Sequence, residues 1–310
     1  MEITTLLLNI LFLILGFVFL IKGADIFVEG ASSVAKRFHI PEMIIGLTIV
    51  AMGTSLPELS VSFISALNGQ SDMSIANAIG SNIFNLLMIL GVSAFIKTLP
   101  IKESSVGDIL VLISATLLLF VLASFGHSLV WFDGLIMLCL FAYFIRNMIK
   151  ESKNNNEENS KPLSMIKTII FIILGAVGII CGGNLVVNGA TTIAQIFGMS
   201  DNLIGLTVVA LGTSLPEFVT SVMATKKGKL DIAIGNVIGS NIFNILFVLG
   251  ISSLFNALTI SAVTLIDVFF SLFISIALLC VACKFKKIGK LSGVTFIILY
   301  ISYMIFTIIR

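Results

Sequence analysis

The hexapeptide GTSLPE occurs twice in this sequence, at Gly53–Glu58 and at Gly212–Glu217, each time inside a long apolar run. The copies belong to a longer repeat. IIGLTIVAMGTSLPE (Ile44–Glu58) matches LIGLTVVALGTSLPE (Leu203–Glu217) at 12 of 15 positions, and NAIGSNIFNLLMILG (Asn77–Gly91) matches NVIGSNIFNILFVLG (Asn236–Gly250) at 11 of 15. GADIFVEGASS (Gly23–Ser33) and GGNLVVNGATT (Gly182–Thr192) share the same offset of 159 residues. The chain is therefore a duplication in which each half carries the same three-part core.

The solvent of that core is lipid. Of 310 residues 58% are hydrophobic and 11% charged, where a soluble domain has about a quarter charged. Hydropathy places spans near 4–35, 42–67, 73–96, 106–124 and 130–148, then 164–194, 202–225, 231–255, 260–282 and 291–309. The first of each half exceeds the ~20 residues a bilayer requires and is expected to tilt or to extend past the membrane. The N-terminal run has no basic n-region or small-residue cleavage site and reads as the first span, not a removed signal peptide. The expectation is an all-α integral membrane protein of ten transmembrane helices in two inverted five-helix repeats. Residues 1–150 and 164–310 are the repeats, and 151–163 a polar cytoplasmic linker.

Inversion follows from the odd number of spans per half, and the basic residues test it, since they collect on the cytoplasmic side. The first span is followed by VAKRFH in half one and IAQIFG in half two; the second by SALNGQ in half one and ATKKGK in half two. The charge changes place between copies. Across the chain, 16 of the 18 basic residues fall on one side, Lys22 within the first span and Arg310 on the other side. Both termini are expected outside, the linker inside, and the protein in the cell membrane. Inverted repeats of this kind build alternating-access transporters with a site at the midplane.

That site is legible in the repeat. Pro57 and Pro216 lack the N–H that would bond the carbonyls of Gly53 and Gly212, and a freed carbonyl in hydrocarbon needs another partner. A cation is one. Glu58 and Glu217 are the acids near the centre of a span in the repeated core, and an intramembrane carboxylate, at roughly 2.5–3.5 kcal/mol on insertion scales, marks a functional site by default. Thr54 and Thr213, four residues earlier, are expected on the same helical faces. Asn77, Ser81 and Asn85 form a polar stripe at a spacing of four, repeated at Asn236, Ser240 and Asn244. The stripe reads as ion ligation combined with interhelical hydrogen bonding, with Gly80 and Gly239 permitting close packing. Every candidate ligand is oxygen, which suits Ca²⁺ or Na⁺ and not zinc or copper. His39 and His127 are the chain's two imidazoles and neither lies in a zinc motif.

Other polar residues carry less. Asp25 and Glu29, with Lys22 one turn earlier, read as a salt-bridged cluster near the interface. Asp108, Asp133 and Asp267 sit near span ends and read as interfacial. Cys139, Cys181, Cys280 and Cys283 lie in apolar segments and read as packing residues; CVAC (Cys280–Cys283) has redox-motif spacing without the βαβ context.

These paired motifs resemble the α-repeats of the calcium/cation antiporter superfamily, and the TSLPE form resembles its sodium/calcium exchanger branch, over the whole membrane region and in the right order. The resemblance implies four sites in a diamond between the second, third, seventh and eighth spans. Glu58 and Glu217 would bind Ca²⁺ with the carbonyls of Thr54 and Thr213. They would share Na⁺ with Ser55, Ser81, Ser214, Ser240 and the carbonyls of Ala51 and Ala210, and Asn85 and Asn244 would line the middle position. The implied cycle is an electrogenic exchange of three Na⁺ for one Ca²⁺, switched by the first and sixth spans sliding across the other eight. Some members, the potassium-dependent ones among them, carry aspartate where Asn244 stands, so the two asparagines here argue against K⁺ co-transport. The implied partners are Ca²⁺, Na⁺ and the bilayer, with no cofactor, no nucleic acid and the monomer as the working unit. Rival readings are a proton-coupled Ca²⁺ antiporter of the same fold, an intramembrane enzyme using the glutamates as acid and base, and a cation channel. The hydroxyl and amide oxygens favour Na⁺ over H⁺. The symmetry of the polar residues disfavours the enzyme.

Overall fold

Hydrocarbon offers a backbone no hydrogen bonds, so a spanning segment must satisfy its own N–H and C=O groups, and helix is the way an apolar run does so. The computed structural model of the chain describes residues 2–152, 162–198 and 210–309. Among them, α1 (Glu2–Phe38), a broken span made of α2 (Glu42–Thr54) and α3 (Leu56–Leu67), α4 (Ser71–Ile96), α5 (Glu103–Gly126) and α6 (Trp131–Ser152) form the first half. The second half has α7 (Met165–Ile196), α8 (Ala210–Thr213), α9 (Leu215–Lys226), α10 (Leu230–Phe255), α11 (Ala262–Phe285) and α12 (Lys290–Ile309). Helices α8 and α9 are the counterpart of the broken span, whose beginning in this half lies outside the described residues. The architecture is all-α, with ten spanning segments in two inverted five-helix repeats.

Four short strands record the duplication independently of the helices. Strand β1 (Leu99–Pro100) pairs antiparallel with β4 (Lys287–Ile288), and β2 (Ser128–Leu129) pairs with β3 (Leu258–Thr259). Each pair takes one strand from each half, and shifting Leu99↔Ile288 by 159 positions gives Leu258↔Leu129. Because α5 runs from β1 to β2, the two ribbons cap opposite ends of the bundle. Backbone conformation follows the same offset even where residues differ: His127 and Lys286 both take left-handed φ values (50° and 51°), as do Gly69 and Gly228 (74° and 76°).

Burial sorts the helices. The most apolar window of α10 is 94% buried and that of α4 is 72% buried, against 17% for α1. Helices α4 and α10 therefore form the centre, and α1 lies along the outside with Leu7, Leu11 and Ile14 facing outward. Glycine brings α1 and α7 together. A Cβ on Gly23 would stand 2.8 Å from Ile179 N and 2.9 Å from Gly175 O; one on Gly182 would stand 2.6 Å from Leu20 N. With no side chain there, the two backbones approach closely along an antiparallel seam, the way small residues join membrane helices.

Three expectations are corrected. The four cysteines are free and exposed on the outer surface, not packed inside; in a membrane protein the outward face is apolar too, so an apolar neighbourhood does not signal an interior. Asp25 and Glu29 pair with Lys227, at 2.9 and 3.5 Å, and not with Lys22. Lys227 follows α9, 202 residues from Asp25, and no local pattern announces that contact. Asp108 and Asp267 stand near helix starts as expected, but they are buried, at 6% and 8% exposure. Asp133 does sit at an end, accepting from Val130 N at 2.9 Å.

Candidate functional site

The broken span positions the first carboxylate. Helix α2 ends at Thr54, Ser55 leaves helical geometry (φ −85°, ψ 12°), and α3 restarts at Leu56 with a 50° change of direction. Pro57 falls in the first turn of the new helix, where its missing N–H would have no partner in any case. Glu58 is thereby in a helix's first turn, and the positive end of the backbone dipole faces its carboxylate. The second half repeats the break at Ser214 (φ −89°, ψ 3°), with Pro216 and Glu217 in the first turn of α9. This also corrects the expected Thr54–Glu58 and Thr213–Glu217 pairing on one helical face. The helix is interrupted between them, and the Thr54 hydroxyl reaches Asn236 Oδ1 (3.2 Å) and Ala51 O (3.3 Å) instead. Thr213 Oγ1 correspondingly lies 3.4 Å from Asn77 Oδ1.

The two carboxylates are then held crosswise. Ser55 Oγ donates to Glu217 Oε1 at 2.7 Å, and Ser214 Oγ lies 3.0 Å from Glu58 Oε1. Each GTSLPE segment thus supplies the serine for the other's glutamate. Ser81 Oγ is 2.9 Å from Ser214 Oγ and 3.4 Å from Glu58 Oε1, while its counterpart Ser240 reaches Ala51 O at 3.5 Å. The stripe divides by role. Asn77 donates to Glu58 O (3.2 Å) and Ser62 Oγ (2.9 Å), and Asn236 to Glu217 O (3.3 Å) and Ser221 Oγ (2.9 Å). These asparagines brace the backbone beneath each glutamate.

Asn85 and Asn244 stand where α4 and α10 cross. Each opens a stretch of wider π-helical turn or lies in one, Asn85–Ile89 and Phe243–Leu249, a distortion that often accompanies functional sites. Asn85 Nδ2 donates to Asn241 Oδ1 (3.0 Å) and Asn244 Nδ2 to Asn82 Oδ1 (3.1 Å). Asn82 and Asn241 in turn donate to each other's backbone carbonyls, at 3.2 and 3.4 Å. Sequence reading missed this second asparagine pair. The signal was present in both copies of GSNIFN, but these residues fall off the four-residue stripe.

Among the sequence-predicted site residues, Glu58, Glu217, Ser55, Ser214, Asn85, Asn244 and Ser240 have no measurable exposure, and Thr54, Ser81 and Thr213 have at most 6%. Ala51 is fully buried with its carbonyl turned to Ser240 and Thr54. Ala210 begins α8 at the edge of the described residues, and its side chain is not among them. Gly239 packs as expected, a Cβ there standing 2.5 Å from Leu47 O, whereas a Cβ on Gly80 meets nothing within 4 Å among the described residues.

One outcome of these contacts is chemical. The hydrogen bonds turn the donors aside and leave Glu58 Oε2, Glu217 Oε2, Asn85 Oδ1 and Asn244 Oδ1 buried with no hydrogen-bond partner among the described residues. Buried acceptors are ordinarily satisfied. Two carboxylate and two amide oxygens, surrounded by serine hydroxyls, form a donor set for a hard cation. Among the described residues no cluster of three or more His, Cys, Asp or Glu exists, so whatever charge the site carries comes from the glutamate pair.

Comparison with known proteins gives one family. The family described as "Sodium/calcium exchanger protein" matches residues 8–150 and 167–309. The chain is 37% identical over 272 residues to the uncharacterized membrane protein MJ0091 of Methanocaldococcus jannaschii, covering 86% of this chain and 87% of that one. It is 32% identical over 322 residues to the sodium/calcium exchanger MaX1 of Methanosarcina acetivorans, covering 89% and 91%. The solved structure of the sodium-calcium exchanger NCX_Mj soaked with Na⁺ and Sr²⁺ superposes with a TM-score of 0.88 at 35% identity, over 96% of this chain and 97% of that one.

Proposed function

The chain belongs to the sodium/calcium exchanger protein family, and we propose that it exchanges Na⁺ for Ca²⁺ across the cell membrane by alternating access, three Na⁺ for each Ca²⁺. The observation that carries this reading is the set of four buried oxygens on Glu58, Glu217, Asn85 and Asn244 that have no hydrogen-bond partner among the described residues. Two carboxylates balance one Ca²⁺. Three Na⁺ would spread over the same carboxylates and the hydroxyls of Ser55, Ser81, Ser214 and Ser240, with the carbonyls of Ala51, Thr54, Ala210 and Thr213 completing the shells. One ion type excludes the other because both claim the same glutamates. Each cycle then moves one net positive charge, worth about 2.3 kcal/mol per 100 mV.

Residues 1–150 and 164–310 act as the two repeats and 151–163 as a cytoplasmic linker, with both termini outside. The gathering of Lys97, Lys102, Lys227 and Lys229 at one end supports that orientation: Lys102 bridges to Asp231, Lys229 to Glu42, and Lys97 Nζ lies 3.5 Å from the Cβ position of Gly228. The glycine seam lets α1 and α7 travel as one body across the remaining eight spans.

The test is ⁴⁵Ca²⁺ uptake into proteoliposomes under an outward Na⁺ gradient, with a parallel pH gradient. Uptake that requires Na⁺, is accelerated by a lumen-positive membrane potential because one net positive charge leaves with each Ca²⁺ taken up, and disappears in Glu58→Gln is expected. Uptake driven by the pH gradient and indifferent to Na⁺ would replace this reading with the proton-coupled one.

A further inference from the structure

One cleft is filled in the second half of the molecule and open in the first. Helices α5 and α6 flank a cavity of about 790 Å³, bordered by Asp108, Val111, Phe144, Asn147 and Glu151. The positions 159 residues later are Asp267, Phe270, Tyr303, Phe306 and Arg310. There Phe270 and Tyr303 stack at 4.8 Å, and the Tyr303 hydroxyl donates to Asp267 Oδ1 at 3.0 Å. In the first half valine replaces one ring and phenylalanine removes the hydroxyl. Space opens, and Asp108, only 6% exposed, makes no hydrogen bond or ion pair among the described residues. It borders the cavity all the same.

The surroundings specify what would satisfy it. Asp108 is five residues into α5, about 7.5 Å along the helix from Glu103, which is headgroup depth and not the bilayer centre. Glu103 and Glu151 stand at the same mouth, whereas Glu103 is replaced by Ala262 in the second half. Further along, the walls are apolar: Ala115, Leu118, Leu140 and Leu246. A metal ion does not fit, because among the described residues the acids form no cluster of three that could hold one. The volume falls within the ~300–1,000 Å³ range of organic ligand sites. The matching ligand is an amphiphile with a cationic, hydrogen-bond-donating head and an apolar tail.

We propose that the α5–α6 cleft is a lipid site selective for a primary-amine headgroup of the phosphatidylethanolamine kind, its ammonium donating to Asp108 and one acyl chain lying along Val111, Ala115 and Leu118. An ammonium offers three donors, and an intramembrane acid is stable when so paired. A trimethylated headgroup carries the same charge with no donor.

The experiment uses the full-length protein in detergent with chelator, so that transported ions contribute nothing. Thermal unfolding is followed with added phosphatidylethanolamine, phosphatidylcholine or phosphatidylglycerol, and bound lipid is counted by native mass spectrometry. The expected result is preferential retention of phosphatidylethanolamine; a tenfold preference, about 1.4 kcal/mol, raises Tm by about 3 °C over phosphatidylcholine. Asp108→Asn abolishes that difference. Phe144→Tyr, which supplies the hydroxyl that already serves Asp267, abolishes it too while keeping a side chain the mirror site accommodates. Equal effects of the amine and trimethylamine lipids on the unaltered protein, a preference for phosphatidylglycerol, or an amine preference that survives both substitutions would overturn the proposal.

Discussion

Where the two halves meet they mirror each other closely, Ser81 and Ser240 apart, and at the rim of the bundle they do not. The midplane contacts come in pairs of nearly equal length: Ser55–Glu217 with Ser214–Glu58, Asn85–Asn241 with Asn244–Asn82. At the basic end, Asp25 and Glu29 of α1 grip Lys227. The corresponding trio at the other end is Asn184, Asn188 and Asn68, with no charge at all. Under the proposed alternating access, a site offered in turn to both faces gains from a twofold axis through it, since the same ligands then present themselves either way. The rim faces two different solutions and has no such constraint. Symmetry is kept where chemistry is shared and lost where the faces differ.

The sharpest way to break this comparison is to make the midplane unequal. Glu58→Gln and Glu217→Gln each remove one of two charges, and truncating a buried charge partnership costs about 3–5 kcal/mol. Each variant should lose Ca²⁺ transport by at least about a hundredfold, and the two losses should agree within a factor of a few. ⁴⁵Ca²⁺ flux and ²²Na⁺ flux measured on both variants decide it. A tenfold or larger gap between them would mean that the site is less symmetric in function than in geometry.

The seam between α1 and α7 is symmetric as well, and mirror substitutions probe it. A methyl on Gly23 or on Gly182 would meet backbone atoms and not a movable side chain. Overpacking of that sort costs about 1–3 kcal/mol, so Gly23→Ala and Gly182→Ala should each lower the melting temperature by several degrees and slow exchange without changing the ion preference. Loss of stability in one variant alone would show that the seam is not shared equally.

Much of this was legible in the sequence, and the reason is the duplication. A single buried glutamate could be structural, but two at one offset, each with the same proline, serine and asparagines, give the fold and point to a candidate site. Span limits from hydropathy fall close to the helices found, because lipid fixes their lengths. What escaped was long-range or lateral. The crosswise pairing of Ser55 with Glu217 depends on how the halves dock. The break at Ser55 overrides the four-residue spacing that would join Thr54 to Glu58 on one helical face. Asn82 and Asn241 were overlooked because a one-face stripe has no place for residues that turn toward the opposite helix. The outward cysteines were misjudged because hydropathy cannot distinguish a protein interior from a lipid-facing surface.

That missed asparagine pair allows a finer test of the midplane. Asn82 and Asn241 orient the amides of Asn85 and Asn244, whose oxygens lack a partner among the described residues and are proposed as ligands. Asn82→Ala and Asn241→Ala each delete one such hydrogen bond, a change of about 1 kcal/mol. Apparent affinity for Ca²⁺ should weaken by about fivefold in either variant, with maximal flux much less affected. A fall in maximal flux at unchanged affinity would instead place these residues in the conformational step.

The smallest effect belongs to the asymmetric rim. Lys227 and its partners are partly exposed, with side chains 26–45% accessible, and exposed ion pairs contribute about 0.2–1 kcal/mol and weaken with salt. Because α1 is the element expected to slide, the pair favours the arrangement seen here over its alternative. Lys227→Gln should therefore shift the balance of the two arrangements by about twofold, read as accessibility of a single labelled cysteine at each end. The shift should fade at high ionic strength, and Ca²⁺ affinity at the midplane should stay the same. Building the missing mirror, with Asn184→Asp, Asn188→Glu and Asn68→Lys together, should move the balance back the other way. If the mirror charges change nothing while Lys227→Gln still acts, then the rim's role is local support of the loop after α9 and not a bias on the cycle.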